Sequence, residues 1–417
     1  MNFEDSPAEA ALRAEARAWL DAHAIRKGDP DDFSSPFRGQ PRTLAEFEAA
    51  EKHWVDRCRW WQGELRAGGW AGITWPRAFG GRGGTALEES VFAEEQARYG
   101  VSSGAFSVGI GMAGPTIIAH GTDDQKARYL DAMLRGDEVW CQLFSEPGAG
   151  SDLAGLATRA ERDGDRWVVD GQKVWTSGAR QSEMAILLAR TDPDRPKHRG
   201  ITFFLVDMAT PGIDVRPLRQ MSGGYHFNEV FLTDVAVPHA NVVGAVDDGW
   251  RVAMTTLTSE RALIGGGGAV TTADLVALAR RQGRAGDPVV RQRLAALHAR
   301  QATLRFLSYR SRTALGHGRP LGPEASVAKL ANGLLRTDMA ELALDILGGD
   351  GTLATPDAPE NGAWTENFLF SLASRLGGGT DQIQRNIIGE RVLGLPREPA
   401  LDRDVPYRAL ARPRPRA

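Results

Sequence analysis

Apolar residues recur with a helical spacing in the first and the last third of the chain. A period of about 3.6 residues is typical of amphipathic helices, and here it accompanies abundant Ala, Glu, Leu and Arg. In the first third it covers residues 7–23, 43–67, 86–99, 110–120 and 123–136. In the last third it covers residues 250–282, 291–315, 325–347 and 364–393, with a glycine interruption at 377–379. We therefore predict a helical N-terminal region and a C-terminal four-helix bundle.

The middle of the chain has a different pattern, in which short β-prone runs are separated by Gly, Pro and Asp. These runs cover residues 166–175, 184–189, 201–207, 213–218 and 227–237. Asp170-Gly171 lies between two β-prone segments, which is a strong signal for a β-hairpin. Because no helix-length run separates the strands, the pattern favours an antiparallel barrel or sandwich over a parallel sheet.

The predicted fold is an α+β multidomain chain. Its parts are a helical domain at 1–138, a β domain at 139–245, a helical bundle at 246–397 and a tail at 398–417. The tail holds five arginines and four prolines, a composition that does not build a core. We expect it to fray or to cover a neighbouring surface, and the sequence gives it no function.

Composition narrows the class of protein. The 417 residues are 42% hydrophobic and 25% charged, with a formal net charge of −3, which is ordinary for a globular chain and gives no general attraction to nucleic acid or to an anionic membrane. Two cysteines cannot form a disulfide framework, and no run of 18 apolar residues is present. The eight histidines show no metal-ligand spacing. We expect a cytoplasmic protein without a metal site.

The most informative segment is a turn-rich stretch, Phe-Ser-Glu-Pro-Gly-Ala-Gly-Ser-Asp at 144–152, followed by Val-Trp-Thr-Ser at 174–177. Glycine and proline favour a tight turn with free backbone N–H groups, and Ser145 and Ser151 add hydroxyls. Trp175 offers a flat apolar face close to Ser177. This combination suits a large planar heteroaromatic cofactor, for which a flavin is the natural candidate.

Five motifs, in this order, make the chain resemble the acyl-CoA dehydrogenase family over nearly its whole length. They are His-Gly-Thr-Asp-Asp-Gln-Lys at 120–126, the stretch 140–152, Asp-Gly-Gln-Lys-Val-Trp-Thr-Ser at 170–177, Gly-Thr-Asp-Gln-Ile-Gln-Arg-Asn at 379–386 and Glu-Arg-Val-Leu-Gly-Leu-Pro at 390–396. The resemblance implies an FAD enzyme that removes an α-proton and a β-hydride from an acyl-CoA thioester. It also implies electron transfer to an electron-transfer flavoprotein and a homo- or hetero-oligomer, either a dimer or a tetramer.

The same resemblance implies roles for individual residues. Ser151 would touch a pyrophosphate or the pantetheine arm, Arg261 would help hold the substrate, and the backbone N–H of Gly378 would donate to the thioester carbonyl. The implied FAD contacts are Leu143, Phe144, Ser145, Ser151, Trp175, Thr176, Ser177, Thr380 and Gln382.

The catalytic base departs from the commonest family pattern. Most members carry a glutamate immediately before the Gly-Thr pair, where this chain has Gly378. A minority, resembling the isovaleryl and long-chain branches, carry the carboxylate one residue before an arginine on the first helix of the C-terminal bundle, which here is Glu260-Arg261. We predict that Glu260 is the base. The alternative is an ordinary surface glutamate paired with a nearby arginine.

Other departures leave questions open. The four glycines at 265–268, after Glu260, fit a wide floor for a bulky acyl group, and they fit close helix packing or a kink equally well. The motifs with which family members grip a neighbour's FAD are altered at 280–286, which lacks the Phe, and at 345–349, which begins with Asp345 where the family has Gln. The alternatives for function are a non-catalytic partner subunit of a mixed assembly and a flavin oxidase or monooxygenase on the same scaffold.

Overall fold

The computed structural model describes residues 5–34, 43–264, 270–316, 322–354, 357–399 and 402–410. Its first region is helical, as predicted. Four of its helices begin with a capping box in which a Ser or Thr accepts from the backbone three residues on and a Glu or Gln returns the bond. The helices are α1 (Pro7–His23), α2 (Leu44–Ala67), α3 (Ala86–Gln96), α4 (Gly114–His120) and α5 (Asp123–Arg135).

The central region is one eight-stranded sheet with the order β6-β7-β3-β2-β4-β5-β8, and β1 pairs with β4. The strands are β1 (Trp140–Leu143), β2 (Arg159–Asp163), β3 (Arg166–Ser177), β4 (Met184–Arg190), β5 (Ile201–Asp207), β6 (Ile213–Leu218), β7 (Phe227–Pro238) and β8 (Val242–Val243). The predicted order of a helical region, a β region and a second helical region is confirmed, but the sheet is open, so the barrel that was one of the two predicted forms is not present among the described residues. The sheet is also mixed, because β1 runs parallel to β4 and β2 meets β4 in parallel at Arg190.

The predicted hairpin at Asp170-Gly171 is wrong as well. Both residues lie inside the continuous strand β3, where the register with β7 shifts between Val169 and Gly171. The hairpin turn lies at Gly164, which has a φ of 63° and joins β2 to β3. A Cβ at position 171 would lie 2.7 Å from the Cβ of Thr158, so the glycine is required there by a close approach of two chain segments.

The C-terminal region is helical, but two of the four predicted runs are each divided. The run at 250–282 forms α6 (Gly249–Ile264) and α7 (Thr272–Arg281), and the run at 364–393 forms α10 (Ala363–Ser371) and α11 (Asp381–Ile387). Between them lie α8 (Pro288–Gly316) and α9 (Glu324–Leu347). A short helix, α12 (Tyr407–Leu410), lies in the tail.

The strand β4 separates two apolar cores, because it is buried on both faces. Ile186 and Leu188 belong to a cluster shared with the N-terminal helices, while Ala185 and Leu187 belong to a cluster on the opposite face of the sheet. A third cluster holds the C-terminal helices together around Leu342. This arrangement fixes β1, which pairs with β4, at the centre of the molecule.

Within the described ranges, no helix is long and apolar enough to cross a membrane. Nor does that part of the chain contain a group of three or more His, Cys, Asp or Glu side chains able to hold a metal ion.

Candidate active site

The turn that follows β1 is closed by two backbone hydrogen bonds between the same residues. Glu146 N donates to Ala149 O at 3.1 Å, and Ala149 N donates to Glu146 O at 3.0 Å. The carboxylate of Glu146 folds back under the turn, where it accepts from the backbone N–H groups of Ala157 at 2.6 Å and Thr158 at 2.9 Å. The glutamate therefore holds both ends of a loop that sequence reasoning treated mainly as a backbone feature.

A buried ion pair anchors this turn to the sheet. Lys173 on β3 is fully buried, and its Nζ donates to Glu146 Oε1 at 2.8 Å and to Phe144 O at 3.0 Å. Burial lowers the pKa of Lys173, and Glu146 opposes that shift. Burial alone would raise the pKa of Glu146, but the ammonium of Lys173 and the nearby donors bring that pKa below its ordinary value. Each partner is thus met by the other and by further hydrogen bonds, which offset the cost of burial.

Trp175 occupies an irregularity of β3 next to this anchor. The register between β3 and β7 shifts between Lys173 and Thr176, and Trp175 has a φ of 64°. Its side chain is 61% exposed, with one edge against the ring of Phe227 at a centroid distance of 6.0 Å. A bulky residue in the left-handed region, with its aromatic face in solvent, is strained in a way that is typical of ligand-binding sites.

The backbone brings Ser145 to this surface, since Val174 N donates to Ser145 O at 2.9 Å. Ser177 is exposed two residues after Trp175, whereas the side chain of Thr176 is buried and its carbonyl accepts from Asn228 Nδ2 at 2.9 Å. Thr176 is thus able to meet a ligand only through its main chain.

Leu143 and Phe144 are buried in the two cores on opposite faces of the sheet. Their side chains pack internally, so any contribution to a ligand site comes from their backbone. Ser151 is exposed at the far end of the turn.

Glu260 lies on α6 and faces β1. Its Oε2 accepts from Gln142 Nε2 at 3.3 Å, and Gln142 precedes Ser145 by three residues. The helix is held in place from the N-terminal region, because Thr256 Oγ1 lies 2.8 Å from Thr116 Oγ1 and Thr255 Oγ1 lies 2.8 Å from His120 Nε2. The carboxylate of Glu260 is therefore half-buried beside the strand that leads into the Ser145 turn. The side chain of Arg261 and the glycines at 265–268 lie outside the described residues.

The turn before α11 carries the second group of predicted site residues. Gly378 and Gly379 have φ values of 64° and 90°, and Thr380 caps α11 by accepting from Ile383 N at 3.2 Å. In the described part of the chain, none of the hydrogen bonds uses the amide N–H of Gly378. That N–H remains available as a donor. Gln382 is exposed on α11.

Lys329 on α9 binds this turn and interacts electrostatically with Glu260. Its side chain is buried, and Nζ donates to Gly379 O at 2.6 Å. Burial lowers the pKa of Lys329, Asp381 and Glu260 favour the charged form, and Arg375 opposes it. Sequence reasoning missed Lys329, Gln142 and the Lys173–Glu146 pair. The available signals were a lysine within an apolar helix and another within a β-prone run.

The two altered motifs at the end of the bundle lie on its surface. Asp345 pairs through its carboxylate with Arg293, and its carbonyl accepts from Arg284. The side chain of Asp345 is 60% exposed, and its charge is neutralised by the ion pair with Arg293.

Comparisons with known proteins identify the class of this chain. The family models for acyl-CoA dehydrogenase match in chain order: the N-terminal domain at residues 40–137, the middle domain at 141–235 and the C-terminal domain at 247–393. The chain belongs to the acyl-CoA dehydrogenase family. It is accordingly an FAD-dependent oxidoreductase, as its motifs indicated.

Three relatives illustrate the match. The acyl-CoA dehydrogenase IpdE1 of Mycobacterium tuberculosis is 40% identical over 394 residues, which cover 93% of this chain and 98% of that protein. Among solved structures, the Tcur3481-Tcur3483 steroid ACAD has a TM-score of 0.79 at 31% identity, covering 95% of this chain and 100% of that chain. The ChsE4-ChsE5 complex from Mycobacterium tuberculosis has a TM-score of 0.74 at 31% identity, with the same coverage.

The residues present fit a flavin. The strained, solvent-exposed indole of Trp175 provides a stacking face, and the exposed Ser177 and the half-buried Ser145 place hydroxyl groups on the same surface. A tryptophan that combines a positive φ with an exposed ring has the kind of backbone strain that clusters at ligand sites.

Proposed function

We propose that this chain catalyses the α,β-dehydrogenation of an acyl-CoA thioester to the trans-2-enoyl-CoA, with Glu260 as the base. The observation that carries this proposal is the hydrogen bond between Gln142 and Glu260, which ties the carboxylate to the strand of the Ser145 turn. When bound, FAD supplies the acceptor for the β-hydride.

The residues of the site divide the remaining work. Glu260 takes the α-proton, which is acidic only when the thioester carbonyl is polarised. The amide N–H of Gly378 donates to that carbonyl, and this donor belongs to the backbone and does not depend on a side chain. Lys329 holds the turn by binding Gly379 O and places a positive charge near Glu260.

The cofactor would be held mainly from the sheet. Trp175 would stack on the ring system, while Ser145, Ser177 and the backbone of 143–145 would donate to its edge. Ser151 would meet a pyrophosphate or the pantetheine arm. Thr380 and Gln382 would reach the cofactor from α11, and Arg261 would hold the substrate.

For the acyl group we propose a bulky polycyclic thioester. The support is the similarity to a steroid ACAD at 31% identity over 95% of this chain. The glycines at 265–268 are compatible with a wide pocket floor. A panel of linear, branched and steroid-derived CoA thioesters would test this proposal, and a preference for short linear acyl groups would contradict it.

We further propose that the chain is the catalytic subunit of an oligomer that passes electrons to an electron-transfer flavoprotein. The altered motifs at 280–286 and 345–349 favour a mixed assembly with a second, homologous chain. The similarity to the ChsE4-ChsE5 complex supports this idea. Co-purification from the native host, followed by measurement of the subunit ratio, would test it.

The decisive experiment on the base is the substitution Glu260→Gln in the FAD-loaded protein. We expect loss of flavin bleaching by acyl-CoA, with a fall in the reduction rate of about a thousandfold or more, while FAD stays bound, because the amide is unable to accept the proton. The matched control is Glu341→Gln, since Glu341 is exposed on α9. Normal bleaching in Glu260→Gln would exclude this glutamate as the base.

The same bleaching assay, repeated in air, separates a dehydrogenase from an oxidase or monooxygenase. A dehydrogenase stays reduced until an electron acceptor is added, whereas an oxidase is rapidly reoxidised and consumes oxygen.

A further inference from the structure

The tail of the chain docks against the sheet, so of the two expectations, fraying or covering a neighbouring surface, the structure shows the second for residues 402–410. Tyr407 N donates to Arg195 O at 2.8 Å, and Arg408 N donates to Pro193 O at 2.9 Å. Residues 402–410 therefore run along the loop between β4 and β5, held by backbone hydrogen bonds.

Tyr407 covers a buried guanidinium. The Cζ of Arg190 lies 3.6 Å from the centroid of the Tyr407 ring, and Arg190 is only 4% exposed. The same guanidinium donates to Ala154 O at 2.7 Å and to Leu156 O at 3.2 Å. The hydroxyl of Tyr407 donates to Gly155 O at 3.4 Å. One aromatic side chain from the tail thus rests on the arginine that holds Ala154 and Leu156, and it bonds the residue between them itself.

A second contact joins the tail to Asp152, two residues before Ala154. Lys197 Nζ lies 2.7 Å from Asp402 Oδ2 and 3.0 Å from Asp152 Oδ2. The lysine side chain is 14% exposed. Burial lowers the pKa of Lys197, but the two carboxylates raise it above its ordinary value. The tail is therefore connected through Lys197 to Asp152, the neighbour of Ser151.

Two anchors therefore hold the residues that follow Ser151. Glu146 fixes Ala157 and Thr158, as described above. The tail acts on residues 152–156 through Arg190 and Lys197. An exposed turn without the second anchor would sample more conformations, and each binding event would then have to order it.

We propose that the segment 402–410 positions the Ser151 turn through Tyr407 and Arg190, and that it sets the affinity of the chain for a phosphate-bearing nucleotide ligand. The inference rests on the proposed role of Ser151. Two ligands carry such a phosphate group: FAD in its pyrophosphate and coenzyme A in its phosphopantetheine arm. Tyr407 is a positioning residue, since it acts through Arg190 and the turn.

The test compares Tyr407→Leu, which removes the aromatic face but keeps a side chain of similar size, with Tyr407→Phe, which retains the face. Arg403→Ala is the matched control, because Arg403 is an exposed residue of the same segment. Each FAD-loaded variant is titrated with coenzyme A by calorimetry, and FAD retention is measured by dialysis. Amide hydrogen exchange of residues 153–156 reports on the turn directly.

We expect Tyr407→Leu to weaken the binding of coenzyme A, of FAD or of both by about tenfold, and to speed exchange at 153–156. Tyr407→Phe and Arg403→Ala should keep the original affinities. A loss confined to coenzyme A assigns the turn to the substrate, and a loss confined to FAD assigns it to the cofactor.

Unchanged affinity for both probes in Tyr407→Leu would overturn the proposal, even if exchange became faster. A loss in Tyr407→Phe equal to that in Tyr407→Leu would also overturn it, since the aromatic face would then have no role. Neither titration nor exchange requires turnover, so failure of the proposed dehydrogenation would leave this test intact. If the proposed function holds, KM should rise with little change in kcat, because Glu260 and Gly378 lie elsewhere.

Discussion

The two halves of the candidate site are built differently. The sheet side is rigid, with a fully buried lysine, a glutamate that accepts from two backbone N–H groups, and a strained tryptophan. The helical side consists mostly of backbone. Gly378 and Gly379 have positive φ values, and their turn is held by Lys329 and by the amide of Gln384.

We infer from this difference that the sheet side is preorganised for binding and that the helical side serves the proposed chemistry. Charges that are buried and hydrogen-bonded keep a binding surface in one geometry. Every residue except proline has a backbone N–H, so the role proposed for Gly378 does not require the usual glutamate, whose function as base is proposed for Glu260.

The largest effect should come from breaking the anchor on the sheet side. Lys173→Met leaves Glu146 buried without its cation, so we expect a loss of about 3–5 kcal/mol in the free energy of unfolding. Urea denaturation measures it. Lys52→Met is the matched control, since Lys52 pairs with Asp56 on the surface and its removal should cost under about 1 kcal/mol. Equal costs for the two variants would contradict the idea of a preorganised sheet side.

A smaller effect should appear where the sheet meets both helical regions. His226 packs edge-on against Phe47 of α2 and Phe370 of α10, and burial together with Arg180 lowers its pKa to about 4. Since the unfolded histidine titrates near 6.5, the stability that depends on the neutral ring is complete above that pH. It is lost progressively as the pH falls from about 6.5 towards 4.

From this group alone we expect a loss of about 2 kcal/mol between pH 7 and pH 5. His226→Gln should flatten that part of the pH profile of the unfolding free energy, whereas His53→Gln, on the exposed face of α2, should not. An unaltered profile in His226→Gln would show that other groups cause the acid sensitivity.

The smallest change in stability should come with a clear change in binding. Trp175→Gly relieves a positive φ, so we expect the FAD-free protein to gain about 1 kcal/mol, while FAD affinity falls at least tenfold because the stacking face is lost. Asp234→Gly is the control, since Asp234 is an exposed residue with a φ of 52° on β7 and should gain stability without losing FAD. Retention of FAD by Trp175→Gly would remove the indole from the site.

Several helices and strands were predictable from the sequence because the residue patterns that indicate them are local. The run at 7–23 coincides with α1, and the strands at 201–207 and 213–218 coincide with β5 and β6. The hairpin at Asp170-Gly171 failed because a glycine that permits a close approach to Thr158 has the same sequence signature as a glycine in a turn. The mixed, open sheet was not predictable from the sequence. Along one edge, β4 pairs first with β1 and then with β2, and the pattern of apolar residues does not show which strands are neighbours.

For the site, motif order predicted the Ser145 turn, Trp175 and the Gly378 turn, and their roles stay predictions. It could not reveal which charges pair, because Glu146 and Lys173 are separated by 27 positions. The composition of the tail left two outcomes open, fraying or covering a surface, because it lacks the apolar residues of a core. The docking depends on backbone hydrogen bonds, on a tyrosine over Arg190 and on an aspartate that pairs with Lys197, which composition does not report.

The docked tail has a practical consequence for anyone who produces this protein. A truncation or insertion within residues 402–410 would remove the contacts with Arg190 and Lys197. Ligand affinities of any variant altered in this segment should therefore be compared with those of the unaltered chain.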